Sequence, residues 1–453
     1  MKTRFITLFV FFTMTFQSIF AQVWEKQIPT FATPTQIWEV YTPNDTVGWA
    51  WGFAFDANGD YTYEDYELLR TTDGGQTWQS VNFPHAEPGW FSNISARGDQ
   101  VAWVAYVDYA NGQKILKTTD GGQTWTDQPN GLTAWIDFVH FFDNGTGLAA
   151  GDPNDVGFEI YTSVNGGDFW EQVDPADIPP PLPGEFGFSG YFETAGNQVW
   201  FETNKGRVYY SLNKGYTWGV FEGPLGQVAY SMIAVDDAGM CYMTYNTSDP
   251  GGANPVLDMY RTPDNGTTWE NITPEDNGWW IGDIEPIPGT GAIMGAFFSG
   301  GPEGIPETRL SYDQGITWQT IDTGNDLLFV DFYDDNTGFA SGWRGDQDTT
   351  SGPIYRYIGS PLTGLFNREP LNVSLTIFPN PASDFAQIQI SSPATAEFWL
   401  LLNDANGRLL HKEVIGKTDH WSTSLDLRDL PAGIYTVTVS SGEGMLVQKI
   451  VKQ

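Results

Sequence analysis

The eight residues TTDGGQTW occur twice, at Thr71 to Trp78 and at Thr118 to Trp125. Four looser copies follow: SVNGGDFW, SLNKGYTW, TPDNGTTW and SYDQGITW. Their closing residues, Trp78, Trp125, Trp170, Trp218, Trp269 and Trp318, are spaced by 47, 45, 48, 51 and 49. A period in the high forties, rich in glycine, aromatics and alternating apolar residues, leaves room for four short strands and their turns. That is the size of a propeller blade.

The strands can be read within each unit. A short run such as TWQSVNF follows each motif, then an aromatic-led strand such as WIDFVHF, a Gly-flanked strand such as TGLAAG, and a strand such as FEIYTSV that enters the next motif. Residues 327–358 repeat this pattern once more: LLFVDFYDDNTGFASGW echoes AWIDFVHFFDNGTGLAAGD, and IYRYIG supplies a third strand. That unit lacks a motif and a fourth strand. The segment QVWEKQIP at 22–29 reads as the missing strand, with Trp24 standing where Trp78 stands in its own unit. Pairing the two leaves no open edge, so the expectation is a seven-bladed β-propeller over 22–359, with residues 22–28 completing the last blade.

The pattern Ser/Thr-x-Asp-x-Gly-x-Thr-Trp resembles the Asp-box, or bacterial neuraminidase repeat, of sialidases, sortilin-type receptors, xyloglucan hydrolases and photosystem-assembly propellers. Its chemistry reads as structural. Asp73, Asp120, Asp264 and Asp313, and more weakly Asn165 and Asn213, can accept hydrogen bonds from the backbone of their own turn. Gly75, Gly122 and Gly266 permit a positive φ, and each tryptophan packs under neighbouring strands. The motif joins strands three and four, on the face opposite the connections between blades, where propellers usually bind. The resemblance to sialidases implies three arginines clamping a carboxylate. Arg70, Arg207, Arg261, Arg309 and Arg356, with Lys117, recur at matching places and read as framework cations, which leaves only Arg97 and Arg344.

Two kinds of site remain open at that opposite face. The leading strands repeat an acidic position, Glu39, Asp137, Asp283 and Asp331, which in a ring clusters at the channel mouth. Paired carboxylates there would suit a glycoside hydrolase, and solvated channel lining is the alternative. Loops entering the same strands carry Trp38, Trp90, Trp135, Trp279 and Trp280, with Phe186 and Phe188 in the fourth unit: a platform for a glycan or protein ligand if exposed, and interblade packing otherwise. Asp56, Asn58, Asp60, Thr62, Glu64 and Glu67 follow the spacing of a calcium loop, which makes calcium the one candidate cofactor, but Tyr61 stands where that loop needs glycine. An ordinary acidic hairpin is the other reading.

The remaining features concern destination. MKTRFITLFVFFTMTFQSIFAQ has two cations, an apolar run and Ala21, the form of a secretory signal peptide over 1–21. No later stretch has the roughly 18 apolar residues of a transmembrane helix. Cys241 is the single cysteine, so core burial replaces disulfides. Residues 22–374 hold 48 acidic and 13 basic side chains, a charge that repels nucleic acid and anionic lipid. After a linker at 360–374 come five alternating strands at 375–453, a small Ig-like β-sandwich. Its motifs IFPNPASD, NDANGRLL and LDLRDLPAGIYTVTV, and the terminal KIVKQ, resemble the type A C-terminal sorting domain of type IX secretion. That resemblance implies a Bacteroidota-type bacterium, the type IX machinery and its surface sortase as partners, and a place at the cell surface or in the medium. The reading as a whole is a secreted propeller that binds an extracellular glycan or protein, with a glycoside hydrolase or a structural, adhesive surface protein as alternatives.

Overall fold

A computed structural model describes residues 22–31, 33–55, 61–84, 89–129, 131–226, 231–248, 255–276, 278–298, 305–343, 351–360, 362, 373–403, 409–428, 430–441 and 444–453. The signal segment, Asp56, Asn58, Asp60, Arg344 and most of the linker lie outside these residues.

The structure is all-β and propeller-like: seven four-stranded antiparallel sheets, then a five-stranded C-terminal unit. Six sheets are built from consecutive strands. The first comprises Thr35–Tyr41, Gly48–Phe55, Tyr61–Thr71 and Gln79–Val81. The leading strands of sheets two to seven are Gly89–Arg97, Ile136–Phe141, Phe192–Ala195, Ser231–Val235, Trp280–Pro286 and Leu327–Phe332. The seventh sheet takes its outer strand from the other end of the body, because Trp24–Gln27 pairs with Ile354–Tyr357. Trp24 anchors this pairing. It is fully buried against Phe332 and Tyr357, and its indole N–H donates to Thr308 Oγ1 at 3.1 Å.

The core lies between neighbouring sheets rather than in one centre. Trp49, Trp51 and Phe53 of the first sheet share a cluster with Phe91, Val104 and Tyr106 of the second. The motif turns close the other end of the first six sheets and share one hydrogen-bond plan. In the first, Thr77 N and Oγ1 donate to the Asp73 carboxylate at 2.9 and 2.7 Å, and Gly75 N donates to Thr71 Oγ1 at 3.0 Å. The same bonds recur around Asp120, Asp264 and Asp313, and in reduced form around Asn165 and Asn213. The fourth motif residue is left-handed in every copy. Gly74, Gly121 and Gly166 do this freely, whereas Lys214, Asn265 and Gln314 adopt φ of 63°, 54° and 61° against the preference of a side chain.

Framework cations tie four of the six turns to the preceding sheet, while Arg207 pairs with Glu185 and Arg309 with Glu307 and Asp276. Arg70 Nη1 donates to Gly121 O, Arg261 Nη1 to Gln314 O, and Lys117 pairs with Asp168. Arg356 Nη1 reaches Gly74 O at 3.4 Å and so links the seventh sheet to the first. The motif tryptophans complete the joints: Trp78 meets Phe339 of the seventh sheet, Trp125 meets Phe83, and Trp269 meets Phe221. Trp170, Trp218 and Trp318 pack on Phe141, Phe201 and Phe297 of their own sheets.

In the C-terminal unit two long strands, Phe385–Asn403 and Leu409–Asp426, form a hairpin whose register shifts between Ser391 and Ala396. Ser374–Phe378 pairs with one half of it and Gly433–Ser441 with the other, and Gly444–Lys452 completes the order. The two halves enclose a core of Leu375, Ile388, Phe398, Leu402, Val437 and Ile450.

Candidate binding face and channel carboxylates

The leading strand of each sheet has an unpaired edge, and its backbone N–H groups need acceptors. Side chains from the preceding leading strand supply them. Asn93 Oδ1 accepts from Val139 N at 2.9 Å and Ser95 Oγ from Phe141 N at 3.0 Å. Asp283 Oδ2 accepts from Val330 N at 2.8 Å and Glu285 Oε1 from Phe332 N at 3.2 Å. Asp331 Oδ2 accepts from Thr42 N, which joins the seventh sheet to the first. Asp283 and Asp331 are thus acceptors that bridge strand edges.

Glu39, Asp283 and Asp331 act on one another electrostatically, and Glu193 and Glu285 join them. Burial pushes Glu39 up to about 8, helped by Asp331 and Asp283 and opposed by the 2.6 Å bond from Trp51 Nε1. Asp283 rises to about 7 and Asp331 to about 6, again by burial, which their backbone hydrogen bonds only partly offset. Glu193 and Glu285 are driven well above the usual range by burial and then by neighbouring carboxylates. Toward the second and third sheets the lining changes character. Arg97 faces Tyr41 and His140, and burial, aided by Arg97, lowers His140 to about 3.

Asp137 does not join this cluster, contrary to the sequence expectation. A bulge interrupts the pairing of the leading strand between Ile37 and Glu39, between Ile136 and Phe138, and between Ile281 and Asp283. Asp137 occupies the bulge itself, the place of Trp38 and Gly282, one residue before the level of Glu39 and Asp283. Its electrostatic neighbour is Asp152, and burial followed by that like charge raises it strongly. Glu285 was legible: it lies two residues past Asp283, on the same side of an alternating strand. Glu193 had no such signal.

Aromatic rings of the same strands and loops form a continuous run. Tyr109 meets Trp135 at 6.1 Å, Trp135 meets Trp90 at 6.3 Å, and Trp90 meets Phe53 at 5.9 Å. Phe53 meets Trp38 at 5.8 Å, and Trp38 meets Phe329 of the seventh sheet at 5.5 Å. Phe329 meets Tyr191 at 6.4 Å, followed by Phe188 and Phe186 at 6.3 and 5.8 Å. Trp38, Trp90 and Trp135 are half-buried, while Tyr109, Phe186, Phe188 and Tyr191 present the exposed surface, at 49 %, 43 %, 42 % and 37 %. The other two tryptophans expected here do not join this run. Trp279 packs under the Arg309 guanidinium at 4.7 Å, and Trp280, though exposed, meets Phe298 and donates to Thr247 O. Of the proposed calcium loop residues 61–67 are described, all within the strand Tyr61–Thr71, where Thr62 Oγ1 donates to Ala54 O at 3.0 Å and Glu67 lies opposite Gly52.

The loop that carries Phe186 and Phe188 is held from below. Buried Glu185 accepts from Leu182 N, Thr203 Oγ1 and Arg207 Nη1 at 2.6 to 2.7 Å. Asn204 exchanges backbone and side-chain bonds with Phe186 and Gly184. Trp135 Nε1 donates to Ser189 Oγ at 2.8 Å and ties the loop to the aromatic run.

Residues 376–453 match the family described as the secretion system C-terminal sorting domain. This tail directs the protein to the cell surface or the extracellular space. Among the described residues no helix is long and apolar enough to cross a membrane. No curated protein matches the chain. Among solved structures the chain is similar to YCF48 bound to D1 peptide, at a TM-score of 0.52 and 18% identity over 75% of this chain and 96% of that one. It is also similar to YCF48 from Cyanidioschyzon merolae, at a TM-score of 0.50 and 17% identity over 74% and 98%. At these identities the likeness concerns the fold.

Proposed function

We propose that residues 22–359 form a closed seven-bladed Asp-box propeller, followed by the 360–374 linker and an Ig-like sorting domain at 375–453, and that the propeller acts by binding an extracellular glycan or protein. The hydrogen bonds from Arg356 to Gly74 and from Thr42 to Asp331, the ring contact of Trp78 with Phe339, and the strand Trp24–Gln27 support closure. The observation that carries the binding role is the aromatic run, whose exposed end stands on a loop held by the hydrogen bonds of Glu185, Asn204 and Ser189. Preorganised rings cost little further entropy on binding. A solved protein of this fold holds a peptide, in keeping with such a role. Export through the type IX machinery would then place this face outside the cell, with the tail removed by the surface sortase.

A glycoside hydrolase is the second reading, favoured by carboxyls at about 8, 7 and 6, which span the range of a general acid and its partner. Incubating the exported chain with polysaccharide and peptide panels, and measuring both retention and reducing ends, separates the two. Retention without sugar release, lost in Phe186→Ala/Phe188→Ala, supports binding. Sugar release that disappears in Glu39→Gln supports hydrolysis, and neither retention nor release supports an adhesive or structural role.

A further inference from the structure

The side chains that the motif turns present to solvent are not alike. In the first two turns the second, sixth and seventh positions are Thr72, Gln76 and Thr77, then Thr119, Gln123 and Thr124, all exposed and polar. In the third and fourth turns Val164 and Leu212 fill the second position, Phe169 the seventh and Tyr216 the sixth, exposed at 72 %, 64 %, 53 % and 42 % for Val164, Phe169, Leu212 and Tyr216. These two turns are neighbours, because the segment 142–145 touches both. Gly166 N of the third turn donates to Gly145 O at 2.8 Å, while Lys214 of the fourth pairs with Asp143 at 3.5 Å and lies over the Phe142 ring. Together the four side chains expose on the order of 400 Å² of apolar surface, the size of patch that marks an interaction site.

Where the turns gain apolar side chains they also lose charge. Asn165 and Asn213 stand where the other four turns carry Asp73, Asp120, Asp264 and Asp313. The charges left on the two turns and on the segment between them are Asp168, Lys214 and Asp143, and with Lys117, which pairs with Asp168 at 3.2 Å, they sum to zero. The body as a whole is strongly acidic and repels a second molecule of its own kind almost everywhere else. A strongly charged partner of either sign finds nothing complementary on this patch. A second molecule of this chain finds apolar side chains to match its own and, across a two-fold axis, aspartate to set against lysine.

We propose that the third and fourth motif turns form a two-fold interface between two molecules of this chain, centred on Val164, Phe169, Leu212 and Tyr216. The apolar patch is about half of the ~800 Å² that each partner contributes to a standard interface, so the association is weak and depends on concentration. Salt strengthens it, because screening relieves the repulsion between the acidic bodies. Contact through the motif end leaves both aromatic faces pointing outward, which makes the dimer bivalent. That bivalence rests on the binding role proposed above; the dimer itself does not.

The test is sedimentation velocity on residues 22–453 over a range of concentrations, in low and in high sodium chloride. The mass of the natural chain is expected to rise with concentration toward twice that of the monomer, and to do so at lower concentration in high salt. The variant Val164→Thr/Phe169→Thr/Leu212→Thr/Tyr216→Gln puts at each position the residue that the first turn carries there. It should therefore fold, as circular dichroism and melting temperature will check, and stay monomeric throughout. Phe186→Ala/Phe188→Ala should dimerise like the natural chain, whatever the aromatic face binds. A natural chain that is monomeric at every concentration in both salts overturns the proposal. So does a dimer that survives in the four-residue variant, which would place the contact elsewhere, for instance on the exposed Phe378 and Ile434 of the C-terminal unit. A dimer lost in Phe186→Ala/Phe188→Ala overturns it as well.

Discussion

The two ends of the sheets follow opposite rules. At the motif end, four turns repeat one set of bonds and two keep it in reduced form, and all six have a left-handed fourth residue, which three copies adopt without glycine. At the other end, the position of Glu39 is occupied by Asn93, Phe138 and Asp283 in the second, third and sixth sheets. The repeated end meets a demand that six of the seven sheets share, the capping of a tight turn. The varied end meets no common demand beyond satisfying a strand edge, which leaves its remaining side chains free to differ.

The sharpest way to break this contrast is to attack what joins the sheets. Trp24→Ala should cost roughly 3–5 kcal/mol in urea denaturation, since it empties a buried aromatic site; a loss near zero would argue that the first strand is dispensable. Asp313→Ala removes one turn's acceptor and should cost about 1 kcal/mol while leaving ligand retention unchanged. Retention lost in step with this variant would place function at the motif end.

The carboxylate cluster should show in the pH dependence. Glu39 titrates at about 8 when folded, against an ordinary value of 4.5, so the unfolded chain releases this proton first and stability falls as pH rises from about 4.5 to about 8. Melting temperatures across that window should decline, and Glu39→Gln should flatten the decline. An unchanged slope would show that Glu39 does not carry it. The smallest stability effect belongs to Phe188→Ala, within about 0.5 kcal/mol for an exposed ring, yet this variant should weaken retention of any ligand the face takes. A large melting shift would mean that the ring is structural after all.

Much of the architecture was legible. Six motifs at blade spacing, the echo at 327–358 and the match of Trp24 to Trp78 anticipate seven four-stranded sheets and the pairing of the first strand with the last sheet. The turn chemistry of Asp73 and its counterparts was legible for the same reason, since those bonds run within eight residues. The site was less so. Aligning Glu39, Asp137, Asp283 and Asp331 by position in the strand ignored a one-residue bulge, and in a strand one residue decides which neighbours a side chain meets. Tyr109 and Phe329 were missed because each joins the aromatic run only through contacts between separate sheets, and Tyr191, which meets Phe188 within its own loop, was missed because its link to Phe329 of the seventh sheet is such a contact.

The sequence by itself determined the repeat, the turn that closes it, the number of sheets and the export tail, because each depends on local spacing or on a compact motif. Only the tertiary structure decided that Asp283 and Asp331 bridge strand edges, that Asp137 turns to Asp152, and that Trp279 lies under Arg309 while Tyr191 reaches Phe329. Those outcomes depend on which side chain of one sheet meets the edge of the next, and that is set when the sheets pack together.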